Sequence, residues 1–466
     1  MSAVLLLPVA FALLGAPLYG LLPARWRPCF LLAISLGFYG SFNWRFLFLL
    51  LAVLLVAFWG AQAVARWRNA VWVLAAVNLA VLTPLIFYKY LLAWFDALRA
   101  AIIPTSSLDF GGYGEVLIPV GLSLFTFQCL GYLIEVGRGY YPPTRSFVRF
   151  ALFGSFFPLL LSGPIERWQR LSGALDEAKR PTADMVLNGL VLLAWGIVLK
   201  SVVGDPIGAY VDAVYEHPTQ QASATAVAGI VGFTLQLFAD FAGYSLLALG
   251  AAKLFGIDVI ENFRQPLFAT SIADFWQRWH ISLTRWIGDF IYRPVALRLI
   301  KVKALPRSAK EIITLLVTWL TMGLWHGANW TFVVFGLSQA TLIYGHARMN
   351  RGRRPLRSRL RAVLGWAATM AVVVITFGLI RAKSVGDYVD LLTSAASFRP
   401  GLLSFPDWEK ALFGLVVMLA VEAWRRFWPE RLVTGVAART VVLGVLLLTA
   451  LLYGYEQSKA FIYFRF

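Results

Sequence analysis

Charged residues are scarce in this chain of 466 amino acids. Only 14% of its residues are Asp, Glu, Lys or Arg, whereas 59% are hydrophobic. A soluble domain could not cover that much apolar surface, so the composition excludes an ordinary water-soluble protein. Apolar runs of about 20 residues recur along the chain, and each is long enough to cross a bilayer as a helix.

The apolar runs also lack the polar–apolar alternation that outer-membrane strands need. Backbone groups find no water in lipid, so these runs must be helices. The sequence therefore predicts an all-α polytopic membrane protein with roughly 10–12 transmembrane helices and re-entrant segments. The candidate spans are 3–22, 46–64, 70–94, 117–136, 148–165, 184–204, 223–250, 312–324, 329–347, 362–380, 410–424 and 437–455, of which 312–324 is the shortest.

Cysteine is nearly absent, which excludes a disulfide framework and a cysteine-rich metal site. Cys29 and Cys129 lie in or beside apolar segments and are predicted to be small core residues. The sequence has no metal constellation, phosphate loop or dinucleotide fingerprint, so nucleotide hydrolysis is not expected. We expect one membrane domain, 1–466, with N-terminal helices in 1–110, a core in 111–347 and C-terminal helices in 348–466.

Acidic residues are outnumbered by basic ones, 24 to 42, which gives a net charge of +18. In a soluble protein this balance would suggest nucleic acid. In a membrane protein it is typical of basic cytoplasmic loops, so no nucleic-acid partner is expected. The segment 348–361 has seven arginines and no acid, which places it inside. The more acidic or mixed loops 96–116, 205–222 and 382–410 are then outside, as are both termini. The first apolar run has no basic residue before it, which favours an uncleaved anchor.

Histidine is also rare, and two of the four histidines lie where a polar ring is unexpected. His217 and His346 fall in a loop and at the end of a span, where surface or interfacial roles suffice. His326 lies in the apolar stretch "WLTMGLWHGANWTFVVFG", 319–336, beside small residues that let a backbone or ligand approach. On a continuous helix Asn329 would share the face of His326 and orient its ring. From these residues alone, a structural histidine and a catalytic or transport histidine remain open alternatives.

His280 lies in "ADFWQRWHISLTRWIGDFIYRP", 273–294, which is not a simple membrane span. Its charges recur too often for a lipid-facing helix, and its aromatic residues are too many for a free loop. The pattern predicts an interfacial or re-entrant element enclosed by protein. Two pairs at i, i+4 spacing, Asp274 with Arg278 and Arg285 with Asp289, are expected to be structural more than chemical.

Further polar residues interrupt apolar stretches, and such residues are functional candidates by default. They are Gln128, Glu135 with Arg138 at i, i+3 spacing, Asp240 and Tyr244. A buried aspartate is costly, so Asp240 is expected to be either paired or protonated. The Ser-Gly-Pro break at 162–164, before Glu166 and Arg167, is expected to end a helix and open a cavity wall.

Together these stretches resemble the membrane-bound O-acyltransferase (MBOAT) superfamily. The similarity is greatest to its bacterial branch of alginate O-acetyltransferase membrane subunits, with teichoic-acid D-alanylation proteins more distant. Five ordered segments carry the resemblance, and the terminal "FIYFRF" is also typical of that branch. The segments are "IPVGLSLFTFQCLGYLIEVGRG" (118–139), "FFPLLLSGPIER" (156–167), "DFAGYSLLALGAAKLFGIDVIENFRQP" (240–266), "SIADFWQRWHISLTRWIGDFIYRP" (271–294) and "GLWHGANWTFVVFG" (323–336).

The resemblance implies acyl transfer from a thioester to a hydroxyl, inside a ring of transmembrane helices around a central tunnel. It implies that His326, in "WHGA", is the essential residue and that His280, in "RWHISL", is the second active-site histidine. Two positions depart from the family pattern. Gln339 lies where relatives often have a third histidine, and Leu246 replaces a second acid. The residues expected to contact substrate or line the tunnel are Asn329, Trp325, Asp240, Tyr244, Gln128, Trp279, Ser282 and Arg278.

Acyl transfer to a hydroxyl needs a base, because a hydroxyl is a poor nucleophile at neutral pH. Histidine suits that role, with an unperturbed pKa of about 6.5. An apolar setting favours the neutral ring, which accepts a proton, and keeps water from the thioester. We expect neutral His326 to take the acceptor's proton or to carry the acyl group briefly, while His280 orients or polarises.

The resemblance further implies cytoplasmic acetyl-CoA as the donor substrate, with no permanently bound cofactor. The basic segment 264–310 is a candidate landing site for CoA, although its charges also suit lipid headgroups. The expected location is the bacterial inner membrane. The expected partner is a separate periplasmic or membrane-anchored acetyltransferase that completes O-acetylation of an exopolysaccharide such as alginate. Two alternatives stay open: acyl transfer to peptidoglycan, teichoic acid or a lipid, and a transporter or flippase without acyl transfer.

Overall fold

A computed structural model describes residues 3–91, 119–350, 359–401, 408–428 and 435–455. The predicted 96–116 loop, most of the basic 348–361 segment and the terminal "FIYFRF" lie outside the described residues. Within these ranges the chain forms twenty α-helices: α1 Ala3–Leu21, α2 Arg27–Phe42, α3 Trp44–Arg66, α4 Val71–Ile86, α5 Leu122–Gly137, α6 Phe147–Ser155, α7 Phe157–Leu160, α8 Trp168–Glu177, α9 Ala183–Val198, α10 Asp205–Glu216, α11 Ser223–Leu254, α12 Ile272–Arg278, α13 Ile281–Ile287, α14 Arg293–Ile300, α15 Arg307–His326, α16 Trp330–Met349, α17 Arg359–Arg381, α18 Val385–Ala396, α19 Trp408–Phe427 and α20 Val436–Tyr453.

Six helical segments in the described ranges are long and apolar enough to cross a membrane. Three shorter apolar helices, Leu5–Leu21, Leu122–Gly137 and Phe147–Leu160, accompany them. The prediction of an all-α polytopic membrane protein is therefore confirmed, while the count of 10–12 crossings stays a prediction. The six segments are Trp44–Arg66, Val71–Leu91, Ala183–Glu216, Ser223–Leu254, Arg359–Arg381 and Val436–Tyr453.

Helix α11 is the central helix of the bundle, with 78% of its most apolar window buried by protein. It runs antiparallel to α9, and facing glycines let the two backbones approach closely. A Cβ added to Gly196 would lie 2.7 Å from the Gly243 carbonyl oxygen, and one added to Gly250 would lie 2.7 Å from that of Gly189. Small residues at such interfaces are typical of membrane helices, which associate through tight van der Waals contact.

The segment that carries His280 is broken into short helices, as predicted for a re-entrant element. Helix α12 begins at the N-cap Ser271, whose hydroxyl accepts a hydrogen bond from the Asp274 amide at 3.1 Å. The chain then turns at His280 into α13, passes through a π-helical turn at Gly288–Tyr292 and continues into α14. No piece of it is long enough to cross a bilayer.

Of the two ion pairs predicted within 273–294, one forms and the other does not. Asp274 and Arg278 pair at 2.6 Å, as predicted from their spacing. Asp289, however, pairs with Arg167 at 3.0 Å and with Arg293 at 3.5 Å, so the predicted partner Arg285 is wrong. The π-helical turn that holds Asp289 explains the error, because it changes the i, i+4 register.

Glu135 also has a partner that is distant in sequence. Its carboxylate lies 3.3 Å from Arg167 and accepts a hydrogen bond from the Tyr141 hydroxyl at 2.7 Å. The predicted partner Arg138 instead donates to the Asp289 backbone carbonyl at 3.4 Å. This prediction is therefore wrong, because Arg138 lies beyond the end of α5, at its C-cap.

Cations gather at one end of the bundle, which we call the basic end. Arg439, near the start of α20, pairs with Asp184 at the start of α9. Lys253 lies at the adjacent end of α11 and pairs with Asp258. At the far end, the Ser223 hydroxyl donates to the Ser394 carbonyl at 2.9 Å. The prediction of a loop over 205–222 is wrong in part, because Asp205–Glu216 is helix α10 and belongs to the membrane-crossing segment Ala183–Glu216. The remainder of 205–222 meets the end of α18, where the Ser394 hydroxyl donates to the Pro218 carbonyl at 2.8 Å, and the outward placement of this face stays a prediction.

Candidate active site

His280 and His326 line one cavity of about 110 Å³, which we call the histidine cavity. The Trp325 ring lies near both, with its centroid 4.6 Å from that of the His326 ring and 6.2 Å from that of the His280 ring. The two imidazoles, 46 positions apart in sequence, are thus brought to the same site. The remaining lining residues are Lys89, Pro119, Val120, Gly121, Leu122, Ser123, Leu124, Phe127, Leu161, Ser162, Gly163, Ile165 and Phe241.

His326 is the last residue of α15. The helix ends there because Gly327 takes an extended conformation, with φ 168° and ψ 176°, and the chain reverses into α16. The imidazole is buried between two phenyl rings of α16: it stacks on Phe332 at 5.9 Å and meets Phe335 edge-on at 6.1 Å. The reversal thus fixes the ring at the tip of a tightly packed helical hairpin.

His280 forms the turn between α12 and α13. Its backbone is left-handed, with φ 43° and ψ 55°, which is uncommon for a residue with a side chain. Asn262 supports this turn, because its backbone carbonyl accepts from the Ile281 amide at 3.0 Å and its side-chain oxygen accepts from the Ser282 amide at 3.2 Å. The Phe241 ring packs edge-on against the imidazole at 4.6 Å. Strained backbone held by neighbours in this way is a feature of functional sites.

Lys89 is a member of the site that sequence reasoning missed. It lies in a π-helical turn, Phe87–Leu91, at the end of α4, and only 8% of the residue is exposed. Its ammonium donates to the Trp325 backbone carbonyl and lies 5.2 Å from the centre of the Trp325 ring. The signal in the sequence is a single lysine inside the apolar run 70–94, which is unusual at membrane depth. π-Helical turns are also frequent at functional sites.

The Ser-Gly-Pro break forms one wall of the cavity, as the sequence predicted. Leu161, Ser162 and Gly163 all line it, after the short helix α7 ends at Leu160. Gly121 faces this wall with φ +70°, and a Cβ there would lie 2.5 Å from the Leu160 carbonyl oxygen. Glycine is therefore required at this position both for its backbone conformation and for its lack of a side chain.

Asn329 does not orient the His326 ring. The prediction assumed a continuous helix, but α15 ends at His326 and Asn329 is the N-cap of α16. Its side-chain oxygen accepts from the Thr331 amide at 3.0 Å, and its nitrogen donates to the Lys383 carbonyl at 2.8 Å. Its side chain is thus engaged by backbone groups, and the residue is not part of the cavity lining.

Asp240 is paired, in a buried ionic cluster outside the histidine cavity. The Lys200 ammonium lies 2.6 Å from Asp240 and 2.7 Å from Asp205, and all three side chains are at most 2% exposed. Tyr244 lies beside the same ammonium, with its ring centre 5.8 Å away. Lys200 lies in the π-helical turn Leu199–Gly204 between α9 and α10. It was not singled out from the sequence because its partner Asp240 lies on a different helix, α11.

Four further residues were predicted to contact substrate or line the tunnel: Trp279, Ser282, Arg278 and Gln128. Trp279 stacks on Phe275 at 5.4 Å, and the Ser282 amide is held by Asn262. Arg278 is engaged by Asp274, while Gln128 is buried within α5. None of these four predicted residues is in the cavity lining, whereas Trp325 is.

Gln339 is held in place by buried hydrogen bonds. It lies where relatives of the family often have a histidine. It is fully buried, its side-chain oxygen accepts from the Trp276 indole at 3.1 Å, and its nitrogen donates to the Thr376 hydroxyl at 2.9 Å. The amide thus ties α12, α16 and α17 together close behind the histidine cavity.

Comparison with known proteins now gives the family. The model of the membrane-bound O-acyltransferase family (MBOAT) matches residues 140–381, a range that contains both cavity histidines. The chain belongs to this family. It is therefore an O-acyltransferase, which excludes the alternative of a transporter or flippase without acyl transfer.

Individual relatives of this MBOAT protein are also named as enzymes that transfer acyl groups. It is 31% identical to the "Probable alginate O-acetylase AlgI" of Azotobacter vinelandii, over 89% of this chain and 83% of the relative. It is 26% identical to the peptidoglycan O-acetyltransferase of Helicobacter pylori, over 80% and 73% of the two chains. It is 31% identical to the teichoic acid D-alanyltransferase of Bacillus subtilis, over 48% and 58%.

Proposed function

We propose that this O-acyltransferase takes an acetyl group from cytoplasmic acetyl-CoA and passes it across the membrane for O-acetylation of an extracellular polysaccharide such as alginate. A periplasmic partner enzyme completes the modification. The observation that carries the proposal is that His280 and His326 face one buried cavity beside a lysine ammonium. The similarity to the alginate O-acetylase of Azotobacter vinelandii over most of both chains supports the acceptor class.

The size of the cavity favours a small acyl group. A cavity of about 110 Å³ is smaller than the roughly 150 Å³ apolar cavity that can hold benzene. An acetyl group and an acceptor hydroxyl fit such a space, and the name of the alginate O-acetylase relative supports the same group. We therefore assign acetyl as the transferred group.

In the proposed reaction, His326 acts as the general base. It removes the proton from the acceptor hydroxyl, the hydroxyl oxygen bonds to the thioester carbonyl carbon, the C–S bond breaks, and the proton passes to the leaving thiolate. Lys89 lies close enough to His326 for electrostatic interaction and stabilises the oxyanion that develops on the carbonyl oxygen. His280 positions the thioester.

A covalent acetyl-His326 intermediate is the second form of the mechanism, because the same ring could carry the acyl group between donor and acceptor. Radiolabelled acetyl-CoA added without acceptor distinguishes the two forms. Label retained on the denatured protein, and lost in His326→Ala, supports the covalent route.

The proposed orientation of the protein in the membrane follows from the positions of its basic residues. Because positive residues are retained in the cytoplasm, the basic end with Lys253, Arg425 and Arg439 faces inward. The far end, where Ser223 meets Ser394, then faces the periplasm, as do both chain termini. The proposed location is the bacterial inner membrane, because the proposed donor is cytoplasmic and the proposed acceptor lies on the opposite side.

The proposed function is tested with purified protein and acetyl-CoA, by release of free CoA and transfer of labelled acetyl to an added acceptor. We expect His326→Ala to abolish transfer and His280→Ala to reduce it strongly. The matched control is His217→Ala, since His217 is exposed and distant in sequence from both motifs. Equal thermal stability of the three variants would show that the loss of acetyl transfer reflects lost catalysis and not unfolding. Transfer retained by His326→Ala would refute its assigned role.

A further inference from the structure

A surface groove of about 390 Å³ separates the α3–α4 hairpin from the re-entrant segment at 290–298. Arg68 from the hairpin, Arg138 from the end of α5 and Arg298 from α14 all line it, so we call it the arginine groove. It shares no lining residue with the histidine cavity. Its volume lies within the range of roughly 300–1,000 Å³ that is usual for ligand sites.

The arginine groove lies at the basic end of the bundle. Helix α2 begins at this end, because Arg27 donates to the backbone carbonyl of Ala178, shortly before the start of α9. Helix α2 then runs away from the basic end, and α3, joined to it by the single residue Asn43, returns to it. On the proposed orientation the groove therefore lies at the cytoplasmic leaflet of the membrane.

The positive charge of the arginine groove is not balanced within the protein. No acidic residue lines the groove, and in the part of the chain that the structure describes neither Arg68 nor Arg298 has a carboxylate partner. The carboxylate of Asp289, which is next to the groove in sequence, is already paired with Arg167 and Arg293. Guanidinium groups that are left uncompensated around one concavity indicate an anionic ligand.

Contacts within the protein hold the arginines around the groove. Arg68 lies against the turn after α5, where a Cβ added to Gly139 would be 3.2 Å from the Arg68 Nη1 atom. This contact places Arg68 beside Arg138, whose guanidinium lies 5.3 Å from the centre of the Phe290 ring. Guanidinium groups bind phosphate through parallel N–H donors, so this pair of arginines suits a phosphate group.

The surroundings of the groove are apolar and face the bilayer. The segment Val71–Leu91, which contributes Val71 and Leu74 to the lining, has only 17% of its most apolar window buried by protein, so most of this helix faces acyl chains. The exposed indole of Trp67 lies in the lining, as is typical of tryptophans at a membrane interface. Helix α14 combines arginines with the exposed apolar residue Leu297, a pattern of helices that lie at the membrane surface.

We propose that the arginine groove binds the headgroup of an anionic phospholipid. Arg68 and Arg138 donate to the phosphate, Arg298 adds a third positive charge, and the acyl chains lie along the exposed face of α4. Anionic lipids are characteristic of the cytoplasmic leaflet, and basic pockets between membrane helices bind their headgroups. In this role the lipid is a structural ligand and not a substrate.

A soluble phosphate compound, such as the acyl donor, is the competing occupant, and the packing of α5 argues against it. Between the groove and the histidine cavity, α5 packs so closely on the hairpin that a Cβ added to Gly137 would be 3.2 Å from Leu74 and 3.3 Å from Val64. Phe127, which lines the histidine cavity, is ten residues from Gly137, or about 15 Å of helix rise. A donor held in the groove would have no open path along α5 to His326.

The bound lipid would brace the segment that carries His280. It would lie between the α3–α4 hairpin and the re-entrant segment, next to the groove residue Phe290. The Phe290 ring contacts the Trp286 ring at 5.0 Å, and Trp286 stacks on Phe127 at 4.5 Å, in the wall of the histidine cavity. We therefore expect the lipid to raise the thermal stability of the folded protein.

The test is titration of delipidated protein in neutral detergent with phosphatidylglycerol, with bound lipid counted by native mass spectrometry. The groove variant is Arg68→Gln with Arg298→Gln. The matched control is Arg25→Gln with Arg145→Gln, which removes the same charge from exposed arginines outside the groove. Phosphatidylcholine tests for selection by charge, and glycerophosphoglycerol, the same headgroup without acyl chains, tests for a soluble phosphate.

We expect the groove variant to raise the half-saturating concentration of the tightest-bound phosphatidylglycerol about 30-fold, since each arginine near an anionic headgroup contributes about five-fold. The control variant should bind like the wild type, and phosphatidylcholine should bind the wild type as weakly as phosphatidylglycerol binds the groove variant. Added phosphatidylglycerol should raise the unfolding temperature of the wild type and the control variant more than that of the groove variant.

A second groove variant, Arg68→Lys with Arg298→Lys, keeps the positive charge but loses the parallel donors, so its affinity should be intermediate. It also keeps the test decisive if the glutamine variant does not fold. Equal affinity of the groove and control variants, equal binding of phosphatidylcholine, or displacement of the lipid by an equal concentration of glycerophosphoglycerol or CoA would overturn the assignment. Because no measurement involves acyl transfer, the outcome is independent of the proposed function.

Discussion

The close packing of α15 on α16, the helical hairpin that carries His326, depends on two glycines. Gly336 on α16 faces the backbone of α15, where an added Cβ would lie 2.5 Å from the Trp319 carbonyl oxygen. Gly323 on α15 faces the Phe332 carbonyl in the same way, at a contact that is closer still. Both neighbours are backbone atoms, so neither can turn away as a side chain would.

The substitution Gly336→Ala should therefore move the helices apart. Restoring an ordinary contact of 3.4 Å requires a shift of about 1 Å at this position. Phe335, the adjacent residue, packs edge-on against His326, so the shift weakens this contact and moves the imidazole relative to Lys89. A misplacement of this size can reduce a reaction rate about 100-fold. Overpacking should also cost about 1–3 kcal/mol of stability.

Gly345→Ala is the matched control on the same helix, because an added Cβ there meets nothing within 4 Å. Replacing glycine in a helix gains about 1 kcal/mol of helix propensity, so this variant should be as stable as the wild type or slightly more stable. The assay is acetyl transfer per folded protein, with thermal unfolding in detergent measured in parallel. If Gly336→Ala and Gly323→Ala both transferred acetyl at the rate of Gly345→Ala, the claim that hairpin packing positions His326 would be refuted.

Three further predictions concern Lys89, Lys200 and Asn329. Lys89→Met should leave the protein folded but lower the transfer rate about 100-fold or more, as for loss of an oxyanion-stabilising donor, and a normal rate would remove Lys89 from the mechanism. Lys200→Met should destabilise by about 3–5 kcal/mol in thermal unfolding, since two buried carboxylates lose their cation. The more exposed pair of Lys253 is the control, and Lys253→Met should cost at most about 1 kcal/mol. Asn329→Ala should cost about 1 kcal/mol as a lost N-cap while the transfer rate stays near normal, and a rate as low as that of His326→Ala would contradict the structural role.

The helical bundle and the two histidines could be predicted from the sequence because each has a local signal. Lipid demands long apolar runs in helical form, so the spans 184–204 and 223–250 were recognisable by length. The 273–294 segment was recognisable because its charges and aromatic residues fit neither a span nor a loop. His280 and His326 were singled out as polar rings in their surroundings, and the family motifs paired them.

Errors arose where a helix was assumed to continue. Asn329 was assigned to the face of His326 by i, i+3 spacing, but the chain leaves the helix at Gly327. Asp289 was assigned to Arg285 by i, i+4 spacing, but a π-helical turn shifts the register. The break at Gly327 adjoins His326 in the histidine cavity, where a departure from regular helix positions a candidate functional group.

The contacts of Lys89 and Lys200 could not be predicted from the spacing of residues along the chain. Lys89 contacts Trp325, 236 residues away, and Lys200 binds Asp240 across two helices, so neither pairing leaves a local pattern. The two lysines nevertheless differ in how their positive charge is balanced. Lys200 lies between two carboxylates and is compensated, whereas the Lys89 ammonium is held by a backbone carbonyl and an aromatic face at the edge of a cavity. A buried cation that is held by dipoles rather than by a full charge retains the capacity to stabilise an anion, and the proposed acyl transfer would form one beside Lys89.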